Sequence, residues 1–151
     1  MKLDIVRPAI YNGQELHDYG VDRNTGDIYS FKKGYPCKLT WCHRNPKNLK
    51  VSYPCVSLSD SAVFTTQYKN SLTVNQHIIA HETLTPLPAP RGVTKEEWFR
   101  TPQSVKKACR GLWLVNHIDH NKLNYHPSNL EWVFGNKENA EKAQAHYKAA
   151  A

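Results

Sequence analysis

Apolar and polar positions alternate over short stretches in the first half of the chain. GDIYSF (26–31), CKLTWC (37–42), YPCVSLSD (53–60) and AVFTTQY (62–68) are rich in β-branched and aromatic residues and are punctuated by Gly, Pro, Asn and Asp. That pattern predicts short strands in an antiparallel meander. At TVNQHIIAHETL (73–84) the spacing becomes helical, with Val74, Ile78, Ile79 and Leu84 on one side. His77 and His81 are four apart there, a spacing that suits a metal pair. No Glu stands between them in an H-E-x-x-H arrangement, so they are read as packing or surface residues.

TPLPAPRG (85–92) holds three prolines and a glycine, which predicts an extended crossing rather than an element. Thr94 followed by Glu97 is a capping-box pattern and opens a short helix around Trp98 and Phe99. Thr101 and Pro102 then suit the N-cap and first position of a second helix, which carries Lys106, Lys107 and Arg110 and ends at Gly111. LWLVNH (112–117) and LEWVF (130–134) read as strands separated by twelve mostly polar residues, too many for a tight hairpin. Asn136 is the expected N-cap of KENAEKAQAHYK (137–148), a strong helix former. Strand, long loop, strand, helix is the order ββα.

A chain of 151 residues with 40% hydrophobic and 22% charged residues suits one domain or two small parts sharing a core. No apolar run approaches the ~18–20 residues of a membrane span, and no signal-peptide stretch follows Met-Lys-Leu-Asp. The expectation is an intracellular protein with no membrane association; Ala149, Ala150 and Ala151 are set aside as a tail. The four cysteines (Cys37, Cys42, Cys55 and Cys109) form no C-x-x-C pair, so no structural zinc is expected and free thiols are. Charge changes the picture more. The net +7 lies wholly in residues 1–110, with 16 basic against 9 acidic residues, while 111–151 has four of each. Residues 31–50 carry six basic residues and no acid, interleaved with Phe31, Tyr35 and Trp41. A polyanion is the natural partner of that mixture, since Lys and Arg displace counterions from phosphates.

Residues 115–139, VNHIDHNKLNYHPSNLEWVFGNKEN, hold six asparagines and three histidines, residue types that favour turns over element interiors. With the ββα order, this stretch resembles the HNH nuclease family, in the form found in phage and intron homing endonucleases. Upstream, DYGVDRNTGDIYSFKKG (18–34) resembles the small β-rich DNA-binding unit that precedes many such domains. The resemblance implies an α+β protein: a basic β-rich DNA-binding region (1–84), a Pro-rich crossing and helical linker (85–110), and a C-terminal ββα-metal module (111–148), also known as a His-Me finger.

The resemblance also implies roles. His117 would be the general base, Asn116 and Asn139 the metal ligands, and Asn129 the residue that ties the loop to the first strand and orients the histidine. These types suit the chemistry. Phosphodiester hydrolysis needs a base near neutrality and a cation offsetting charge on the phosphoryl oxygens. Mg2+ takes hard oxygen donors and keeps several waters, and Mn2+ is the alternative ion. Asn116 stands where many members have Asp. Asp119, Asn121 and Asn124 are expected to shape the loop by Asx turns. His120 replaces a common glycine, which asks for a positive φ or a different turn, and His126 is read as incidental. Double-stranded DNA is the implied partner, with Arg23, Lys32, Lys33, Lys38, Trp41, Arg44, Lys47 and Lys122 as candidate contacts; monomer or homodimer stays open. The rival readings are a DNA-binding protein with a degenerate, non-cutting module, and a protein acting on RNA.

Overall fold

A computed structural model describes residues 2–59 and 71–135. The strand expected at 62–68 and the helix expected at 137–148, with Asn136 and Asn139, lie outside the described residues.

The first 22 residues, for which the alternation predicts nothing, form β1 (Ile5–Val6), β2 (Ala9–Tyr11), β3 (Gln14–Leu16) and β4 (Tyr19–Asp22). The legible signal there is Asn12-Gly13. Both take positive φ, 50° and 77°, as the turn between paired β2 and β3 requires. β5 (Ile28–Ser30) and β6 (Cys37–Lys38) complete an antiparallel sheet in the order β1-β4-β5-β6.

The run 37–42 is not one strand. Cys37 and Lys38 pair with β5, whereas β7 (Cys42–His43) pairs with β8 (Pro54–Ser59) in another sheet, next to β9 (Ser71–Asn75). Leu39 and Trp41, between the two pieces, pack on the core, so the run breaks where its apolar residues turn inward. α1 (Gln76–Leu84) starts three residues later than the spacing suggests. Val74 is buried in β9 opposite Val56, and sheet pairing there overrides helical periodicity.

α1 differs from expectation in a second way. Its apolar Ile79 and Ala80 are buried, but so are Gln76, His77, His81 and Glu82. Such burial is costly wherever a polar group lacks a partner, and several here have one. Gln76 Nε2 donates to Gly26 O at 3.3 Å. Glu82 accepts from Asn12 N at 2.9 Å, Gly13 N at 2.6 Å and Arg110 Nε at 2.9 Å. Thr83 Oγ1 accepts from Ile10 N at 2.8 Å, and the His81 ring lies 4.7 Å from that of Trp132.

The crossing after α1 is extended and pinned by indoles: Trp132 Nε1 donates to Thr85 O and Trp98 Nε1 to Leu87 O. α2 (Lys95–Arg100) has the expected capping box, with Glu97 N donating to Thr94 Oγ1 at 3.1 Å and Thr94 N to Glu97 Oε2 at 3.3 Å. α3 (Gln103–Ala108) begins one residue late. Thr101 Oγ1 donates to Glu97 O at 2.7 Å, closing α2 rather than capping α3, and Pro102 takes the N-cap place. A 3-10 turn over Cys109–Leu112 leads into β10 (Trp113–His117), which pairs with β11 (Leu130–Phe134).

Leu16, Val21, Ile28, Val56, Leu58, Val74 and Ile79 form one buried cluster, and Leu130 of β11 belongs to it. The ribbon therefore shares a core with the N-terminal sheets. Arg110 and Glu82 are nearly buried too, at 12% and 5% side-chain exposure. Removing one partner of such a pair strands the other charge. Arg110→Met is expected to destabilise the fold by about 3–5 kcal/mol, with part of the loss recovered by adding Glu82→Gln. Urea unfolding of the two variants checks both statements.

Candidate active site

β10 and β11 are in register from Trp113 opposite Phe134 to His117 opposite Leu130. Beyond His117 the pairing continues for one bond, Ile118 N to Asn129 O at 2.8 Å. The loop then closes on itself through side chains. Asp119 Oδ1 accepts from Asn121 N, Asn121 Oδ1 from Leu123 N, and Asn124 Oδ1 from His126 N, three Asx turns in succession. His120 takes the positive φ, 61°, that its place demands.

Asn129 is the centre of this loop. Its Oδ1 accepts from Asp119 N at 3.0 Å, and its Nδ2 donates to Asp119 Oδ1 at 2.8 Å and to Asn124 O at 2.9 Å. Partial burial raises the Asp119 pKa, but hydrogen bonds from Asn124, Asn121 and Asn129, with His117 nearby, bring it below its usual value. His126, read as incidental, in fact caps the 3-10 turn Pro127–Asn129 by accepting from Ser128 N at 3.2 Å.

His117 is wholly buried. Its ring centroid lies 4.5 Å from that of His77 and 5.7 Å from that of Tyr53, and His77 and Tyr53 stack at 4.8 Å. Neither His117 nitrogen has a hydrogen-bond partner, and neither does His77 Nδ1. Burial pushes the His117 pKa down to about 4, with Asp119 opposing and Lys122 adding to the shift. Burial, with His117 and His81 near it, drives His77 well below the usual value, and burial with Arg110 lowers His81 to about 4. All three rings are neutral at pH 7. Tyr53 is the member of this group that sequence reasoning missed, and no local pattern marks it.

Asn116 lies on the other face of the ribbon, opposite Glu131. Its Nδ2 donates to Glu131 Oε1 at 2.9 Å, which leaves Oδ1 as the end able to meet a cation. Among the described residues no cluster of three or more His, Cys, Asp or Glu could hold a metal. The donors present, one amide oxygen beside one carboxylate, nonetheless fit an ion such as Mg2+ that takes few protein oxygens and keeps its waters.

The candidate DNA contacts are scattered, and several are already engaged. Arg23 pairs with Asp4, Lys38 with Asp27, Lys32 Nζ donates to Ser59 O, and Arg44 bonds to Asn75 Oδ1 and Thr73 O. Lys33 and Lys47 are exposed. Two of the set meet the loop. Lys38 and Trp41 line a surface cavity of about 370 Å³ with Asn124, Tyr125 and His126. Tyr125 Oη donates to Asp27 Oδ1 at 2.8 Å, and a Cβ on Gly26 would lie only 2.7 Å from Tyr125 O. Lys122 Nζ donates to Lys50 O at 3.2 Å and sits 5.4 Å from the Tyr53 ring centre.

A histidine-ended ribbon, a loop held by asparagines and a shared core with small β-sheets give this α+β chain the fold of an HNH endonuclease. The chain is similar to a solved structure of the HNH homing endonuclease I-HmuI, described for its DNA binding and cleavage: the TM-score is 0.50 and the identity 25% over 97% of this chain. This chain spans 59% of the I-HmuI chain it matches. No protein-family model and no curated protein matches the sequence.

Asn129→Ala removes three hydrogen bonds from a buried residue. A loss of about 1–3 kcal/mol is expected, with faster amide exchange at Asp119 and Asn121 than in β8. The buried histidines set a pH dependence of stability. Folded His117 and His81 resist protonation until about pH 4, whereas in the unfolded chain they titrate near 6.5. The unfolded state therefore binds more protons between those values, and stability falls as pH drops from 6.5 towards 4. Urea midpoints at pH 7.5 and 5.0 are expected to differ in that sense, and less so in His81→Phe.

Proposed function

We propose that this chain is a metal-dependent DNA endonuclease of the homing type, hydrolysing phosphodiester bonds of double-stranded DNA with His117 as general base. The observation that carries the reading is the placement of His117 at the end of β10, beside an asparagine-built loop, in a chain with an HNH endonuclease fold. A neutral ring with no hydrogen-bond partner on either nitrogen is free to take a proton from water. The low pKa ensures the base form at pH 7, and a nearby phosphate would raise it towards the range where proton transfer is efficient. Because the ring is buried in the DNA-free chain, DNA binding has to bring one of its nitrogens to the water and phosphate.

Asn129 would hold the start of the loop, through Asp119, so that His117 keeps its place. Asn116, with Asn139, would hold the divalent ion, Mg2+ before Mn2+. When bound, that ion supplies positive charge against the phosphoryl and leaving oxygens. Lys122, next to the ring stack, is the basic residue best placed to meet the phosphate backbone near His117.

A second reading has its own support. The complete burial of His117 and the neutrality of Asn116 suit a protein that binds DNA without cutting it. Supercoiled DNA carrying the source genome separates the two, incubated with Mg2+, Mn2+ or chelator. The expected result is metal-dependent relaxed or linear product that falls about 10²–10⁴-fold in His117→Ala. Tight binding to a discrete fragment with no product from the unaltered protein would establish the non-cutting reading instead. Stronger binding of structured RNA than of duplex DNA at matched salt would point to the RNA reading.

A further inference from the structure

An asparagine can serve a cation only through its oxygen, and nothing in its own side chain decides which end of the amide faces which way. Its neighbours decide. Across the β10–β11 ribbon the residue directly opposite Asn116 is Glu131, so the two side chains share a face within reach of each other. Asn116 Nδ2 donates to Glu131 Oε1 at 2.9 Å. An ionised carboxylate only accepts, so Glu131 takes the NH2 end and Oδ1 is the end left over. The reverse orientation would set two oxygens against each other.

We infer that Glu131 is a positioning residue for the divalent ion, aiming Asn116 Oδ1 and supplying the negative charge that a lone amide lacks. The inference rests on the reading of Asn116 as a metal ligand. Asn116 is half-buried and Glu131 exposed, so the carboxylate reaches the pair from the solvent side and stays close to any ion that Oδ1 holds. Its charge acts on the ion at short range whether or not an oxygen of its own joins the ligands. Partners that orient a ligand in this way affect ion affinity about 10–100-fold in metal sites generally.

The test is Mn2+ affinity, read from the free-ion electron paramagnetic resonance signal. Mn2+ is titrated into the full chain bound to a duplex carrying the mapped cleavage site, with His117→Ala present throughout to block cutting. Glu131→Gln keeps size and hydrogen bonding but removes the charge and the acceptor-only character. It is expected to weaken Mn2+ binding about 10–100-fold while the thermal midpoint and DNA affinity stay unchanged. Asn116→Asp combined with Glu131→Gln is expected to restore the affinity, since the charge then sits on the ligand and no amide needs orienting. A purely structural strand pair would show the opposite: a shifted thermal midpoint and unchanged Mn2+ affinity. Unchanged affinity in Glu131→Gln, alongside a large loss in Asn116→Ala, would overturn the inference and leave the metal assignment standing. Unchanged affinity in Asn116→Ala, or no Mn2+ bound to the parent complex, would overturn the metal assignment and this inference with it.

Discussion

One carboxylate holds the molecule in register. Glu82, near the end of α1, accepts from the turn amides of Asn12 and Gly13 and from the Arg110 guanidinium. Three segments remote in sequence thus converge on a group that water scarcely reaches. Arg110 extends the clamp by donating to Trp113 O, at the start of the ribbon, and by covering the Trp132 ring at 4.9 Å. A buried pair of this kind adds little net stability compared with apolar residues of the same shape. It does discriminate strongly against arrangements that leave either charge alone. The position of β10 relative to the β2–β3 hairpin follows from that penalty.

α1 carries the same logic along its length. Its buried polar residues each reach a different part of the fold: Gln76 the turn before β5, His77 the ring stack with Tyr53 and His117, His81 the indole of Trp132. The helix is a strut between the N-terminal sheets and the ribbon. His117 consequently depends on residues from β10, α1 and the segment before β8 at once. Any outward motion of the ring has to disturb the contact with His77, Tyr53 or both.

The ribbon sorts its chemistry by face. Strand alternation places His117 with Leu130 on the buried side and Asn116 with Glu131 on the other. His117 and Asn116, adjacent in sequence, are thereby given opposite environments. One is dry and neutral, which keeps an imidazole basic in form. The other is wet and negative, which suits a hydrated divalent ion.

Much of the candidate site was legible in the sequence because it is local. Strands 113–117 and 130–134, the Asx turns at Asp119, Asn121 and Asn124, and the Thr94 capping box all depend on groups a few residues apart. Backbone periodicity and short-range hydrogen bonding settle such features without outside help. The Asn12-Gly13 turn between β2 and β3 is equally local. What only the tertiary structure decided depends on contacts distant in sequence. The division of 37–42 between two sheets, the late start of α1 under the pairing of Val74 with Val56, and the burial of α1's polar face belong here. So does the stack of Tyr53 and His77 on His117. No periodicity encodes these, because each depends on packing between segments far apart in sequence.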